Sequence, residues 1–345
     1  MTPPKGNKTQ KSAQSANKQY SIAQFFAIRA ITGFSVSPDG KTIAYITNTN
    51  GMPNVWTIPI DGGWASQITL EDNAVSSLYF TPKTNEILFS SDNMGDENHM
   101  LYLISAKGGE VRSLTPGHKG SQVTFCSFNK KGDKILFSSN KRDPRYFDTY
   151  ILDLNTNIEK CVTEFNEPSP ISAVGWSADE KYILYQKFYS NSNHDLLIYD
   201  TRSAVITNMT EHTGNMKNTG GMFNKKADTI YFVSDYEREF LALAYYKIKT
   251  GEIGWFQSEN WDITNYLFSH DEKHLLYSVN ESGTTKLKMK NLKSGKTKNL
   301  KIPKGNCNSI EFTKDDKKIV LIFDSPQNPN DIYVYDIKKE KLKQV

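Results

Sequence analysis

The alternation of apolar and polar positions repeats seven times along this chain. Each copy opens with a short apolar strand, passes through a four- or five-residue turn rich in Asp, Gly, Asn and Lys, and closes with a second, strongly apolar strand. The copies begin FSVSPDGKTIAYIT at Phe34, LYFTPKTNEILFSS at Leu78, FCSFNKKGDKILFSS at Phe125 and VGWSADEKYILYQK at Val174. GMFNKKADTIYFVS at Gly221, YLFSHDEKHLLYSV at Tyr266 and IEFTKDDKKIVLIF at Ile310 complete the series. One apolar position serves as a marker, occupied by Ile43, Ile87, Ile135, Ile183, Ile230, Leu275 and Ile319 at intervals of 44 to 48 residues. A period of that length marks blade-type repeats.

Each repeat has a second half, in which another alternating strand is followed by a tight turn and a short final strand. In the first copy these are VWTIPI (55–60), the turn DGG (61–63) and ASQIT (65–69). Period-2 alternation with Asp-Gly and Gly-Gly turns is the signature of hairpins, because those turns need positive φ. Four strands per repeat and seven repeats predict an all-β chain, a seven-bladed β-propeller of four-stranded antiparallel blades over 20–345. The blades are expected to start near 31, 75, 123, 171, 219, 264 and 308. Blades one and seven each contain four strands of their own, so the ring is expected to close without a borrowed N-terminal strand. Residues 1–19 lack the apolar side chains to fold and read as a disordered tail. Between tail and first blade, Ser21 and Gln24 form a capping box, and Ile22, Phe25, Phe26 and Ile31 can share one face. This predicts a short helix over 21–31 packed across the propeller edge.

Charge changes this picture little. The formal net charge of +4 is matched by Lys5, Lys8, Lys11 and Lys18 of the acid-free tail, leaving a balanced body. Nucleic-acid binding needs a basic patch or stripe, whereas the lysines here sit in turns of mixed sign, so no nucleic-acid partner is expected. No apolar run approaches the roughly 20 residues of a membrane span, and the N-terminus has no apolar leader segment. With no disulfide framework in view, the reading leans cytoplasmic, although a removed leader is compatible with it. Cys126 and Cys161 fall on the first and fourth strands of blade three, about three strand spacings apart and beyond disulfide reach. The six histidines are scattered without metal-ligand spacing, so no metal and no cofactor is expected.

No catalytic constellation is legible. The nearest approaches to a Gly-x-Ser-x-Gly elbow, around Ser35 and Ser177, lack the second glycine and lie at strand-to-turn junctions. Candidate binding residues come instead from the segments joining second to third strands, which vary in length and chemistry while the other turns are short and uniform. Variable segments on a rigid scaffold are where binding usually sits. Within NKRDPRYFD (140–148) and DYEREF (235–240) the candidates are Arg142, Asp143, Arg145, Tyr146, Glu237 and Arg238. An arginine offers a planar fork to a carboxylate and a glutamate a partner to an amine. The competing reading is that the charges of 140–148 cancel one another in a local ion-pair knot.

SPDGKTIAY (37–45) and its degenerate echoes resemble the repeat of TolB-type propellers. The order of features is more specific. YSIAQFFAIRAI precedes SPDGKTIAYITNTNGMPNVWTIPIDGG, and FSSNKRDPRYFDTYILDL and IYVYDIKKEKLKQV follow. From Tyr20 to Val345 this resembles the N-terminal propeller of prolyl oligopeptidase-family serine peptidases, particularly the acylaminoacyl-peptidase and dipeptidyl-peptidase-like branch. The resemblance implies a C-terminal α/β-hydrolase domain with a Ser-Asp-His triad as the propeller's partner, a domain absent from these residues. It also implies a propeller that caps that domain, admits only small peptides and helps to hold a substrate's N-terminus. The alternative is a stand-alone TolB-like propeller acting as a protein-interaction scaffold.

Overall fold

The computed structural model describes residues 19–70, 72–167 and 170–345. The tail read over 1–19 therefore lies, apart from Gln19, outside the described residues. Seven four-stranded antiparallel sheets follow one another, each with its strands in sequence order from the innermost to the outermost. First strands open at Ile31, Val75, Val123, Ile171, Asn218, Ile263 and Asn306. The seven marker residues are all fully buried, at 0% exposure, so the position that repeats most strictly is the one that fills the blade interfaces.

The local chemistry of the first turn explains why each hairpin forms where it does. Its fourth residue is left-handed in six blades, at Gly40, Gly132, Glu180, Ala227, Glu272 and Asp316. Only the first two are glycines, so four non-glycine residues adopt a strained φ there, at a cost of order 1 kcal/mol. The first residue of the turn compensates. The Ser37, Asn129, Asn224 and Thr313 side chains accept backbone N–H groups four or five residues on.

Apolar clusters lie between blades, not within them. One of them joins blade four (Leu184, Leu196, Ile198, Met209) to blade five (Ile230, Phe232, Ala244). Another closes the ring, with Ile31, Tyr45 and Ile58 of blade one against Val320, Ile322, Ile332 and Val334 of blade seven. Each of these two blades is built from its own four strands. Among the described residues no backbone–backbone hydrogen bond crosses the seam, and every bond across it uses a side chain. Arg29 pairs with Asp331 at 3.0 Å, Lys318 with Asp61 at 2.6 Å, and the Glu311 carboxylate accepts the Val36 N–H at 3.2 Å.

Two expectations need correction. The helix spans only Ile22–Phe26; its Ser21–Gln24 capping box is present, but no helical residue is buried. Ile31 begins the first strand instead, and Ile22, Phe25 and Phe26 stand exposed. Five residues are too few to sustain a helix on propensity alone, and Ile31 gains more by filling the ring seam. The segment 140–148 is mostly strand. Second and third strands of blade three run over Lys134–Asp143 and Tyr146–Asp153, leaving a two-residue turn at Pro144-Arg145. Among the described residues no helix is long and apolar enough to cross a membrane.

Candidate functional site

Because all seven blades run the same way, every connection from second to third strand emerges on one face of the ring. That face carries all six candidate residues. Four are on the blade-three ribbon and two on the blade-five connection, with the blade-four ribbon (Tyr182–Ser190 and Asn193–Asp200) between them. Among the described residues no hydrogen bond or ion pair joins the two sets.

On blade three, Arg142 is engaged by the protein itself. Its Nε and Nη2 donate to the two oxygens of Asp148 at 2.6 and 2.9 Å, Nη2 also to the Phe165 carbonyl at 2.7 Å, and Nη1 to Asn166 Oδ1 at 3.0 Å. Asp148 is completely buried, and its charge is held by this fork together with the Phe165 N–H. Arg142 thus ties the ribbon to the strand-four exit of its own blade, and the Asp148 carboxylate beside it raises its pKa. Arg145 differs, with 73% of its side chain exposed. Its Nη2 and Nε donate to Asp143 at 2.7 and 3.0 Å, and those hydrogen bonds hold the Asp143 carboxyl at about 2. The Tyr146 ring carries both guanidinium groups, centred 5.9 Å away for Arg142 and 5.0 Å for Arg145.

On blade five, Glu237 occupies a left-handed turn position (φ 50°) that the Arg238 N–H closes onto the Asp235 carbonyl at 3.0 Å. The Arg238 guanidinium lies 5.0 Å from the Trp255 ring centre. Among the described residues it has no carboxylate within ion-pair distance.

Trp255 also lines a cleft of about 350 Å³ between blades four and five, which sequence reasoning missed. Met209 and His212 line it from blade four; Met216, Phe232, Tyr236, Ala244 and Trp255 line it from the other side. The buried polar groups of its wall are satisfied, while Glu211 lines the cleft as an exposed carboxylate without an ion-pair partner among the described residues. His212 bonds the Thr210 carbonyl at 2.8 Å and Asn193 Oδ1 at 2.9 Å, and Asn218 donates to the His194 carbonyl at 3.1 Å. A signal for the cleft lies in the repeat register. Opposite the second-strand aromatic or leucine, third strands place Trp56, Tyr102, Tyr150, Leu197, Lys288 and Tyr333, but blade five places Ala244.

No group of three potential metal ligands occurs among the described residues. Cys126, Cys161 and Cys307 are free thiols, and burial raises the pKa of each.

Comparison with known proteins agrees with this architecture. The profile described as prolyl oligopeptidase, N-terminal beta-propeller domain, matches residues 69–345, and the dipeptidyl peptidase IV N-terminal region matches 6–130. Dipeptidyl aminopeptidase BIII of Pseudoxanthomonas mexicana is 29% identical over 162 residues, which is 46% of this chain and 23% of that protein. Dipeptidyl peptidase family member 6 of Caenorhabditis elegans is 25% identical over 38% of this chain and 19% of its own. These matches therefore span only about a quarter or a fifth of the relatives' length. Among solved structures, a prolyl endopeptidase superimposes with a TM-score of 0.74 at 13% identity, over 93% of this chain and 50% of its own. A puromycin-hydrolysing peptidase of Mycobacterium tuberculosis gives 0.73 at 9% identity, over 91% and 53%. An oligogalacturonate lyase gives 0.70 at 12% identity over 87% of both chains, which shows how widely the fold is shared. With the family profile covering most of its length and every blade in place, the chain belongs to the prolyl oligopeptidase family, as its N-terminal β-propeller domain.

Proposed function

We propose that this propeller gates and selects small peptides for a C-terminal α/β-hydrolase domain, in the manner of the dipeptidyl-peptidase and acylaminoacyl-peptidase branch. The observation that carries this reading is the family match over 69–345, since propellers of this family pair with a C-terminal hydrolase domain. We place the selection on one face of the ring. The face bearing the second-to-third-strand connections presents Arg145, Glu237 and Arg238 to solvent on rigid ribbons and turns. Glu237 is placed to receive a peptide amine, and the two arginines to receive carboxylates. Arg142 and Asp148 hold the ribbon in position and are supports, not contacts.

The test joins the chain to its hydrolase domain and measures kcat/KM on a series of di- and tripeptides. The variants R145A, E237Q and R238A are expected to lower kcat/KM about tenfold or more, as expected when a hydrogen bond to a charged group is lost. Wild-type turnover in all three across the series would remove this face from substrate selection. A reading frame that ends at Val345 without a Gly-x-Ser-x-Gly segment would favour the stand-alone scaffold instead.

A further inference from the structure

The cleft between blades four and five lies at a register position that four of the other blades fill with an aromatic side chain and blades four and six with Leu197 and Lys288. Ala244 stands where three blades carry tyrosine or tryptophan on the same register (Tyr102, Tyr150, Trp56) and blade seven carries Tyr333. Phe232 is its cross-strand partner and Trp255 its neighbour on the outermost strand. Both flank the missing side chain. The ring still closes here through Leu184, Ile198 and Met209, so blade four does not move in to fill the space. What remains is a lipped cavity of about 350 Å³, at the small end of the roughly 300–1,000 Å³ of ligand clefts.

Its chemistry restricts the occupant. The buried polar groups of the wall are held by protein partners, as shown for His212 and Asn218, so the interior favours apolar surface, and Glu211 is the one carboxylate of the lining. The lip is aromatic, with Trp255 40% and Tyr236 47% exposed, more open apolar surface than either residue needs for folding. Outside the lining itself, Arg238 is stacked on Trp255 and lacks a carboxylate partner among the described residues. A guanidinium braced against an aromatic face loses little freedom on binding a carboxylate.

We infer that this cleft receives one bulky apolar or aromatic side chain of a peptide and pairs the peptide's carboxylate with Arg238. The side chain enters over Ala244 between Phe232 and Trp255, taking the place that the tyrosines of blades two, three and seven fill from within. This rests on the proposed function only in taking the ligand to be a peptide; the site itself follows from the register.

The test uses the chain as it stands. All five tryptophans are replaced biosynthetically by 5-fluorotryptophan, and W255F assigns the Trp255 fluorine resonance. Glycyl-phenylalanine at millimolar concentration is expected to move that resonance saturably, glycyl-alanine to leave it in place, and glycyl-phenylalanine amide to bind more weakly than the acid. R238Q is expected to abolish the preference for acid over amide while leaving the fold intact. A244Y, which restores the side chain of the other blades, is expected to weaken binding about tenfold or more. If A244Y fails to fold, A244L serves, since blade four carries Leu197 at this position. An unmoved Trp255 resonance, or unchanged binding in the filled variant, overturns the inference. Saturable binding at Trp255 alongside unaltered turnover in the rejoined enzyme would leave the cleft standing and refute only the gating role.

Discussion

Glu311 presents a perturbation whose magnitude the structure sets. In the row of first-strand residues that face the next blade, the first six blades place Ser35, Tyr79, Ser127, Gly175, Met222 and Leu267. Blade seven places a glutamate, at the ring seam. Its carboxylate accepts only the Val36 N–H, at 3.2 and 3.3 Å; no cation pairs with it among the described residues. Ser35 and Ser37 from blade one, Lys314 from its own blade and His270 from blade six line the same cavity, and His270 is itself held by Asp316 at 2.9 Å. Burial raises the carboxyl from 4.5 to about 7, with the Val36 hydrogen bond opposing the rise.

At about 1.4 kcal/mol per decade, that displacement corresponds to about 3 kcal/mol. Glu311 is half-buried, so screening reduces the figure to about 1–3 kcal/mol. A raised folded pKa means that the folded state holds its proton longer than the unfolded state. The associated stability is complete below about pH 4.5 and is lost as pH rises through about 7. E311Q keeps an acceptor for Val36 and cannot ionise. Relative to wild type it should be nearly neutral at pH 4.5 and more stable at pH 8.5. With an unfolding entropy of about 2.1 cal/mol/K per residue, the gain in melting temperature is about 1–4 °C. Calorimetry on both proteins across this range measures it. His118 slopes the other way, because burial lowers its pKa; its stability is present above about 6.5 and is lost at lower pH, and the difference between the two proteins cancels it. A difference that is flat with pH, or a variant less stable at pH 8.5, would show that the ionised Glu311 is welcome in the fold and refute the reasoning.

Three further outcomes are expected. R142A should lower the melting temperature by several degrees, because it strands the buried Asp148 carboxylate, whereas R145A should leave it within about a degree, as surface pairs do; equal melting temperatures would refute the distinction. In hydrogen exchange, blades one and seven should exchange before blades three to five, since no backbone–backbone hydrogen bond crosses their seam among the described residues and array stability sums neighbour terms; if they prove the most protected, that account fails. A serine-reactive fluorophosphonate should label nothing in this chain, in line with its lack of a nucleophile elbow, and stoichiometric labelling of any serine would contradict this.

The marker residues from Ile43 to Ile319 and the Ser/Asn/Thr-led turns were sufficient to specify seven blades, because strand alternation and turn conformation depend on residues a few positions apart. The candidates Arg142, Asp143, Arg145, Tyr146, Glu237 and Arg238 were legible as charged side chains on variable connections, but not their separate fates. Arg142 is bound to a buried Asp148 while Arg145, paired with Asp143, stays exposed, and that follows from how far the ribbon extends and where Phe165 and Asn166 return beside it. The cleft was written in Ala244, yet its meaning depends on blade four holding its place instead of collapsing inward. Nothing in the segment IEF singles out Glu311, because a strand taken alone has one face for core and one for water. In a ring, both faces of a blade meet neighbours, and Val36 arrives beside Glu311 from 275 positions away. Period and turns are local properties and the sequence alone determined them; which side chains share a seam is set by ring closure, and only the tertiary structure decided that.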